Sequence, residues 1–330
     1  MAVTIRTLAG STSAVALALA LAACTSEATP ERPEQPESQE VVRPPLVQED
    51  LAAVMGDQQS RTNDARDRAD APDYDPKGWR KSAAGWLLEV EQAGTRFSRL
   101  SDYPNDTGRV TGRSGDVYPV TSTGDPVFAV VTNGANTTAP GPDTRQVQVF
   151  ARRTEDAPWL SEVAVTVPDR QLPGPTEARD LTEDDWTQAA DAAAAYTRYL
   201  ETGRAPGLDD RRARVTARKE LLDEDEEDDA ELASITIEAK PYGGNTTGED
   251  GVWVAPTAKG LLVVVTLRTE TTLTAAEGSR YRWNDPYDDF WGGGELTDVI
   301  RRADLVGAVL HVTDGDPQLL GDRVEITAAR

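Results

Sequence analysis

The spacing of apolar residues changes from helical to strand-like twice along the chain. From about residue 49, each half begins with apolar positions three and four residues apart and continues with the alternation typical of strands. Runs rich in Gly, Pro, Asn and Asp separate the strand-like segments. Helices followed by antiparallel strands in each half predict an α+β fold of two units.

The second half has the clearer pattern. Its predicted helix begins with a capping box, Thr182 and Asp185, and ends before Gly203. Between these signals the apolar positions lie on one face: Trp186, Ala189, Ala190, Ala193, Tyr196 and Leu200. A short charged helix is expected next, ending in the acidic run Asp223–Asp229. The predicted strands are Ser234–Ala239, Gly251–Ala255, Gly260–Thr274, Asp304–Thr313 and Asp322–Thr327.

The first half repeats this order with weaker helical periodicity. Helical segments are predicted from about Glu49 to Ala69 and from Trp79 to Val90. The Pro-rich stretch Pro168–Asp180 is the best domain boundary, so we expect domains at 49–170 and 171–330. The predicted strands are Asp116–Val120, Pro126–Thr132, Arg145–Arg153 and Trp159–Val167.

The first residues read as an export signal. Arg6 precedes an apolar stretch from Ala14 to Ala23, which is too short to span a bilayer stably. The stretch ends in Leu21-Ala22-Ala23-Cys24, which resembles the lipobox of bacterial lipoproteins. This resemblance implies removal of residues 1–23 as a signal peptide and diacylglyceryl modification of the Cys24 thiol. The mature protein would then be held at the extracytoplasmic face of the membrane by its lipid.

Residues 24–48 form a predicted tether. The segment is rich in Pro and Glu and contains almost no apolar residues. Such a chain buries too little surface to offset its conformational entropy, so we expect it to be disordered and extended. The tether would separate a folded body from the lipid surface.

Charge and cysteine content exclude several classes of protein. The formal net charge is −23, which opposes binding to a nucleic-acid backbone. No apolar run is long enough for a polytopic membrane protein. The chain has a single Cys, so no intrachain disulfide can form and stability must come from packing.

Residues suited to catalysis are scarce. His311 is the one histidine and lies in a strand-like run, and no Gly-x-Ser-x-Gly or phosphate-binding Gly-rich motif occurs. The run Asp223–Asp229 lacks the Gly-enabled turn of a calcium loop and is interpreted as a solvated acidic segment. Asn136 and Asn245 begin glycosylation-type sequons that mark loops. We therefore expect a protein that is not an enzyme, with no metal and no cofactor.

One segment concentrates aromatic residues, from Ser279 to Glu295. Its aromatics are interleaved with Arg, Asn and Asp and precede a Gly triplet: Tyr281, Trp283, Tyr287, Phe290 and Trp291. Flat apolar faces beside polar groups suit a sugar ring or a protein partner. The alternative is that the aromatics fold back and cap their own sheet. We take the five residues as the candidate binding site.

The element order resembles cystatin-like and NTF2-like cones, in which N-terminal helices pack on a curved antiparallel sheet. The whole plan resembles actinobacterial membrane lipoproteins with two tandem units of that kind, a resemblance that covers about Glu49 to Arg330. The lipobox, the tether and the scarcity of reactive residues together predict a non-catalytic binding or assembly role at the cell envelope, with an envelope protein or a carbohydrate as partner. The alternatives are a carrier or sensor of a small apolar or carbohydrate ligand inside one cone, and an envelope hydrolase that uses paired carboxylates.

Overall fold

Three long helices and eleven antiparallel strands make up the described part of the chain, which confirms the predicted α+β class. The computed structural model describes residues 42–43, 46–70, 72–101, 114–120, 122–123, 127–134, 144–211, 213, 217–219, 232–280, 297–313 and 316–329. The helices are α1 (Gln48–Ala69), α2 (Gly85–Ser101) and α3 (Glu183–Thr202). Within these residues, none of the helices is both long enough and apolar enough to cross a membrane.

The strands form two main sheets. They are β1 (Val42–Arg43), β2 (Ser114–Tyr118), β3 (Ser122–Thr123), β4 (Val127–Gly134), β5 (Thr144–Arg152), β6 (Leu160–Pro168), β7 (Leu232–Pro241), β8 (Val252–Thr257), β9 (Gly260–Ala275), β10 (Val299–Thr313) and β11 (Asp316–Ala329). Sheet 1 has the order β2-β4-β5-β6. Sheet 2 has the order β11-β10-β9-β7, with β8 also paired to β9. The short strands β1 and β3 pair separately.

Sheet 2 is apolar on both faces because its strands lack the usual alternation with polar residues. Successive residues of β9 point to opposite sides, and both Val263 and Val264 are completely buried. Val263 packs in a cluster with α3 residues such as Tyr196, whereas Val264 packs in the central core. Sheet 2 is therefore an inner layer.

The central core lies between the two sheets. It joins β6 residues such as Val165 to sheet 2 residues such as Leu305, and Trp86 of α2 is buried in the same cluster. The opposite face of sheet 1 packs on α1, where Leu51 and Met55 are buried. The layers thus run α1, sheet 1, sheet 2 and α3, while α2 packs against β6 and β11.

Close approach between β6 and β11 depends on a glycine. A Cβ atom at Gly321 would lie 2.5 Å from the backbone oxygen of Thr166, closer than any normal contact. At Gly307 a Cβ atom would lie 3.1 Å from the Trp86 ring. The absence of a side chain at Gly321 therefore sets the distance between the sheets.

A buried carboxylate also joins the two halves. Glu162 of β6 is fully buried and accepts hydrogen bonds from the backbone N–H (2.8 Å) and the hydroxyl (2.7 Å) of Thr247. The guanidinium of Arg153 lies 3.1 Å from the same carboxylate and also donates to the Asn245 side chain. Burial raises the pKa of the Glu162 carboxyl, and the hydrogen bonds and Arg153 oppose that shift.

Several element boundaries differ from those predicted. Helix α2 begins at Gly85 instead of Trp79, because Pro76–Lys81 forms a separate 3₁₀ helix, and it continues to Ser101 instead of ending at Val90. Strand β10 begins five residues before Asp304, and β11 six residues before Asp322. Of the predicted charged helix, only residues 211, 213 and 217–219 are described, and the last three are helical.

The ends of the predicted tether and boundary segments contact the fold. Strand β1 lies inside the predicted tether and pairs with β3, and Leu46 is buried. In the Pro-rich boundary segment, the Pro173 carbonyl accepts a hydrogen bond from the Tyr118 hydroxyl of sheet 1 (2.6 Å). The Gly174 carbonyl accepts one from the backbone of Ala258 after β8 (3.0 Å). The division into domains at residue 170 stays a prediction, while residues on both sides of it share the central core.

Helix α3 has the start and the end that the sequence predicts. The Thr182 hydroxyl accepts from the Asp185 N–H, and the Asp185 carboxylate accepts from the Thr182 N–H at 2.8 Å, which completes the capping box. Gly203 follows with a left-handed φ of 71°. Hydrogen bonding from the Arg179 guanidinium holds the pKa of the Asp185 carboxyl well below its usual range, although burial acts the other way.

Replacing Asp185 by Asn should destabilise the protein in a pH-dependent way. A lowered folded-state pKa gives a stabilisation that is complete above the unfolded pKa of about 3.9 and is lost as the pH falls through the folded value. We expect Asp185→Asn to reduce the free energy of unfolding by about 1–3 kcal/mol at pH 7 and by less below pH 4. Urea unfolding at both pH values measures this. Asp184→Asn in the same turn is the control, and an equal loss at both pH values would contradict the assignment.

Adding a methyl group at Gly321 should force the sheets apart. Gly321→Ala is expected to lower the free energy of unfolding by about 1–3 kcal/mol or more, because its Cβ atom would meet the Thr166 backbone, which cannot rotate away. Gly174→Ala is the matched control, since no atom lies within 4 Å of its added Cβ. Equal stability of the two variants in urea unfolding would show that the sheets do not meet at Gly321.

Candidate functional site

A cleft between α1 and the outer face of sheet 1 is the candidate site. Four glutamine side chains line it, Gln58 and Gln59 from α1 with Gln146 and Gln148 from β5, and we call it the Gln pocket. Its volume is about 60 Å³. One water needs a site of at least about 10–15 Å³ and takes about 30 Å³ of liquid volume, so the pocket has room for a few waters.

The helix side of the pocket follows from the sequence of α1. The residues of α1 that face sheet 1 begin with buried Leu51 and Met55, and the next turns place Gln58 and Thr62 at the same helical spacing. The apolar stripe of α1 therefore stops halfway along the helix. Farther along, Ala65 and Ala69 are buried again beside Trp79.

The sheet side of the pocket comes from alternating residues of β5. Val147 and Val149 face the central core, and so Gln146 and Gln148 face α1. The Gln148 side chain donates to the Gln146 amide oxygen at 2.8 Å. Two amides thus occupy positions where a sheet covered by a helix usually has apolar residues.

Hydrogen bonds fix the amide of Gln58. Its Nε2 donates to the Ser82 backbone oxygen at 2.8 Å, and its Oε1 accepts from the Thr62 hydroxyl at 2.6 Å. Gln58 is almost fully buried, so both bonds satisfy groups that water cannot reach easily. This side chain is held in place before any ligand binds.

Apolar side chains form the other walls of the pocket. Trp79 comes from the 3₁₀ helix Pro76–Lys81, Phe150 from β5, and Met55 and Leu87 from the helices. The indole N–H of Trp79 donates to the Thr95 hydroxyl at 2.9 Å. Because that N–H is used outside the pocket, the Trp79 indole offers the pocket only apolar atoms.

One cation and one anion also line the pocket. Arg66 of α1 and Glu91 of α2 have opposite charges, and Glu91 lies 3.6 Å from Arg323 of β11. Burial lowers the pKa of the Arg66 guanidinium, Glu91 opposes this shift, and Arg323 adds to it. For Arg323 itself, burial acts against the charge, but Glu91 and Glu325 outweigh it and raise the pKa. The pocket lining is therefore neutral in total.

The lining of the Gln pocket is more polar than apolar. Glu91 is the one carboxylate among the described lining residues, so the facing pair that a carboxylate hydrolase requires is not found there. Among the residues that the structure describes, no group of three His, Cys, Asp or Glu side chains is arranged to hold a metal ion. Amides and hydroxyls supply most of the polar groups of the lining.

Most of the site residues named from the sequence are not among the residues that the structure describes. Cys24, the acidic run Asp223–Asp229, Asn136 and all five aromatics of the candidate binding site are outside the described residues: Tyr281, Trp283, Tyr287, Phe290 and Trp291. The aromatic segment connects β9 to β10 along the chain. Its role in partner contact stays a prediction.

His311 and Asn245 are described. His311 lies on β10, and its Nε2 is 2.8 Å from the Lys259 carbonyl oxygen at the turn between β8 and β9. Asn245 lies in the loop after β7, where it accepts the Arg153 hydrogen bond. Both residues have structural partners, and neither lines the Gln pocket.

The second half offers a contrast to the pocket. Apolar residues of α3, including Ala189, Tyr196 and Leu200, pack on the apolar residues of the sheet 2 face beneath the helix. The Tyr196 hydroxyl donates to the buried Asp322 carboxylate at 3.0 Å. A helix that fills its sheet face leaves no room for a ligand there, so the first half carries the candidate site.

Comparisons with known proteins give no identity. No protein-family model matches the chain, and no curated protein or solved structure is significantly similar to it.

Proposed function

We propose that the protein is a bacterial lipoprotein, anchored through Cys24 at the extracytoplasmic face of the cell membrane, that binds a small ligand in the Gln pocket. The role is non-catalytic and fits the carrier or sensor hypothesis raised from the sequence. The observation that supports it is the polar interruption of an otherwise apolar layer between α1 and sheet 1.

The position of these amides supports a functional reason for them. Replacing both members of a hydrogen-bonded polar pair by apolar groups of the same shape can be neutral or stabilising, and Gln146 with Gln148 is such a pair on a half-buried face. Leu or Val at Gln146 and Gln148 would extend the apolar cluster formed by Leu51, Met55 and Phe150. A chain that has four amides at this layer is better explained by binding than by packing.

We further propose that the two halves are tandem cystatin-like or NTF2-like units. In each half a helix precedes an antiparallel meander, β2-β4-β5-β6 after α2 and β7-β9-β10-β11 after α3. The two units would share the central core through their inner faces. A crystal structure of the protein tests this, and meanders of unrelated curvature in the two halves would contradict it.

Filling the pocket should remove ligand binding. Gln146→Trp places an indole in the cleft, and Gln188→Trp on the exposed face of α3 is the matched control. A ligand at about 100 times its Kd adds about 2.7 kcal/mol to the free energy of unfolding. The small-molecule fraction of an envelope extract should therefore raise the Tm of the full-length protein and of Gln188→Trp, but not of Gln146→Trp.

The Gln146→Trp variant needs a check that it is folded. Circular dichroism of Gln146→Trp should match that of the natural protein, because Gln146 is only half-buried. A Tm increase of the same size in Gln146→Trp, or none in any of the proteins, would contradict binding in the Gln pocket.

Removing the Cys24 thiol should release the protein from the membrane. Cys24→Ser cannot be acylated, so we expect it in the soluble fraction or as an uncleaved precursor, whereas the tether variant Ser38→Ala should stay with the membrane. Fractionation followed by mass spectrometry of the N-terminal peptide measures this. Lipid on the Cys24→Ser protein would disprove the anchor.

A further inference from the structure

We infer that the ligand of the Gln pocket is a small neutral polyhydroxyl compound, either a short polyol or a sugar that inserts one edge of its ring. The inference rests on the proposed function and names its ligand class. Three properties of the lining carry it: the kind of polar group, the net charge and the size.

The polar groups of the pocket both donate and accept hydrogen bonds. Each glutamine amide has an oxygen that accepts and an NH₂ that donates, whereas the Thr62 and Ser161 hydroxyls already donate to the Gln58 amide oxygen and the Val163 carbonyl and can only accept. A carboxylate or phosphate ligand would need donors only, and an ammonium ligand would need acceptors only. A ligand hydroxyl matches the lining in both respects, and two or three hydroxyls would use neighbouring amides such as Gln146 and Gln148.

The charges of the pocket oppose an ionic ligand. Arg66 and Glu91 neutralise each other in the lining, and Arg323 and Glu325 lie beyond them. An anion that binds Arg66 must compete with Glu91, and a cation that binds Glu91 must compete with Arg66 and Arg323. Bringing an uncompensated charge into a half-buried site is costly, so a neutral ligand is favoured.

The apolar walls and the volume fit a short polyol chain or one edge of a sugar ring. Trp79 and Phe150 line the cleft but are almost completely buried, so they form an apolar wall without exposing a whole ring face. A volume of about 60 Å³ is too small for a whole sugar ring, since a dry cavity of about 150 Å³ holds one benzene molecule. A short polyol or one edge of a ring can therefore enter the cleft, and the rest of a ring stays outside it.

Three sugars that share the same ring and differ in charge test the inference. Glucose, glucuronate and glucosamine have charges of zero, minus one and plus one at neutral pH, and galactose, mannose and ribitol extend the neutral set. Titration calorimetry uses the full-length protein in detergent. We expect at least one neutral compound to bind saturably and its charged counterpart to bind at least about tenfold more weakly, with little dependence on salt.

Variants of the lining give a second measurement. The double variant Gln146→Leu with Gln148→Leu should weaken neutral binding at least about tenfold, the loss of one or two hydrogen bonds, while Gln188→Leu should not. Glu91→Gln leaves Arg66 and Arg323 without their shared carboxylate, so it should reverse the charge preference and favour glucuronate. Circular dichroism checks that each variant is folded.

The outcomes separate this inference from the proposed function. If the envelope extract raises the Tm through the pocket while no neutral compound binds, or while a charged sugar binds as tightly as its neutral counterpart, the polyhydroxyl assignment is wrong and the binding role stands. If the extract acts equally on Gln146→Trp, the binding role itself is wrong.

Discussion

Burial of both sheets against each other is the constraint on which the structure depends. Sheet 2 is apolar on both faces, so it requires a covering layer on each side, and sheet 1 supplies one of them. The strands β6 and β11 come so close that Gly321 leaves no space for a methyl group. The chain has no disulfide to hold the layers together, since it contains a single cysteine. The layers are held together instead by packing in the central core and by buried hydrogen bonds, such as those from Thr247 to the Glu162 carboxylate.

The Gln pocket is the place where this apolar layering is interrupted. Helix α1 has apolar contacts with the outer face of sheet 1 near Met55 and with Trp79 of the 3₁₀ helix near Ala65, with amides between them. The hydrogen bonds of Gln58 to Ser82 and Thr62 keep the lining ordered. A rigid polar cleft of this kind reduces the entropy that a ligand must overcome on binding. Beneath α3 the buried Asp322 carboxylate accepts a hydrogen bond from the Tyr196 hydroxyl within an apolar cluster, so two halves of similar element order differ in what they can hold.

The sequence predicted the elements best where local signals agree. Helix α3 has a capping box, an apolar stripe and Gly203, and its bounds were found within a residue. The first residues of β10 were missed because Arg301 and Arg302 do not read as strand, although β9 pairs with them. The pocket was missed because the polar half of the α1 stripe was taken as weak periodicity. The alternation of Gln146 and Gln148 with valines was the available signal, but only the position of α1 shows that these amides are covered.

The sharing of the central core has a consequence for how the protein is made. Helix α2 packs on β11, the last described strand in the chain, and Glu89 pairs with Arg268 across 179 positions. The N-terminal half therefore cannot complete its core while the ribosome is still translating the C-terminal strands. Contacts this distant in sequence slow folding. The polypeptide therefore remains without a complete core until its synthesis is nearly finished.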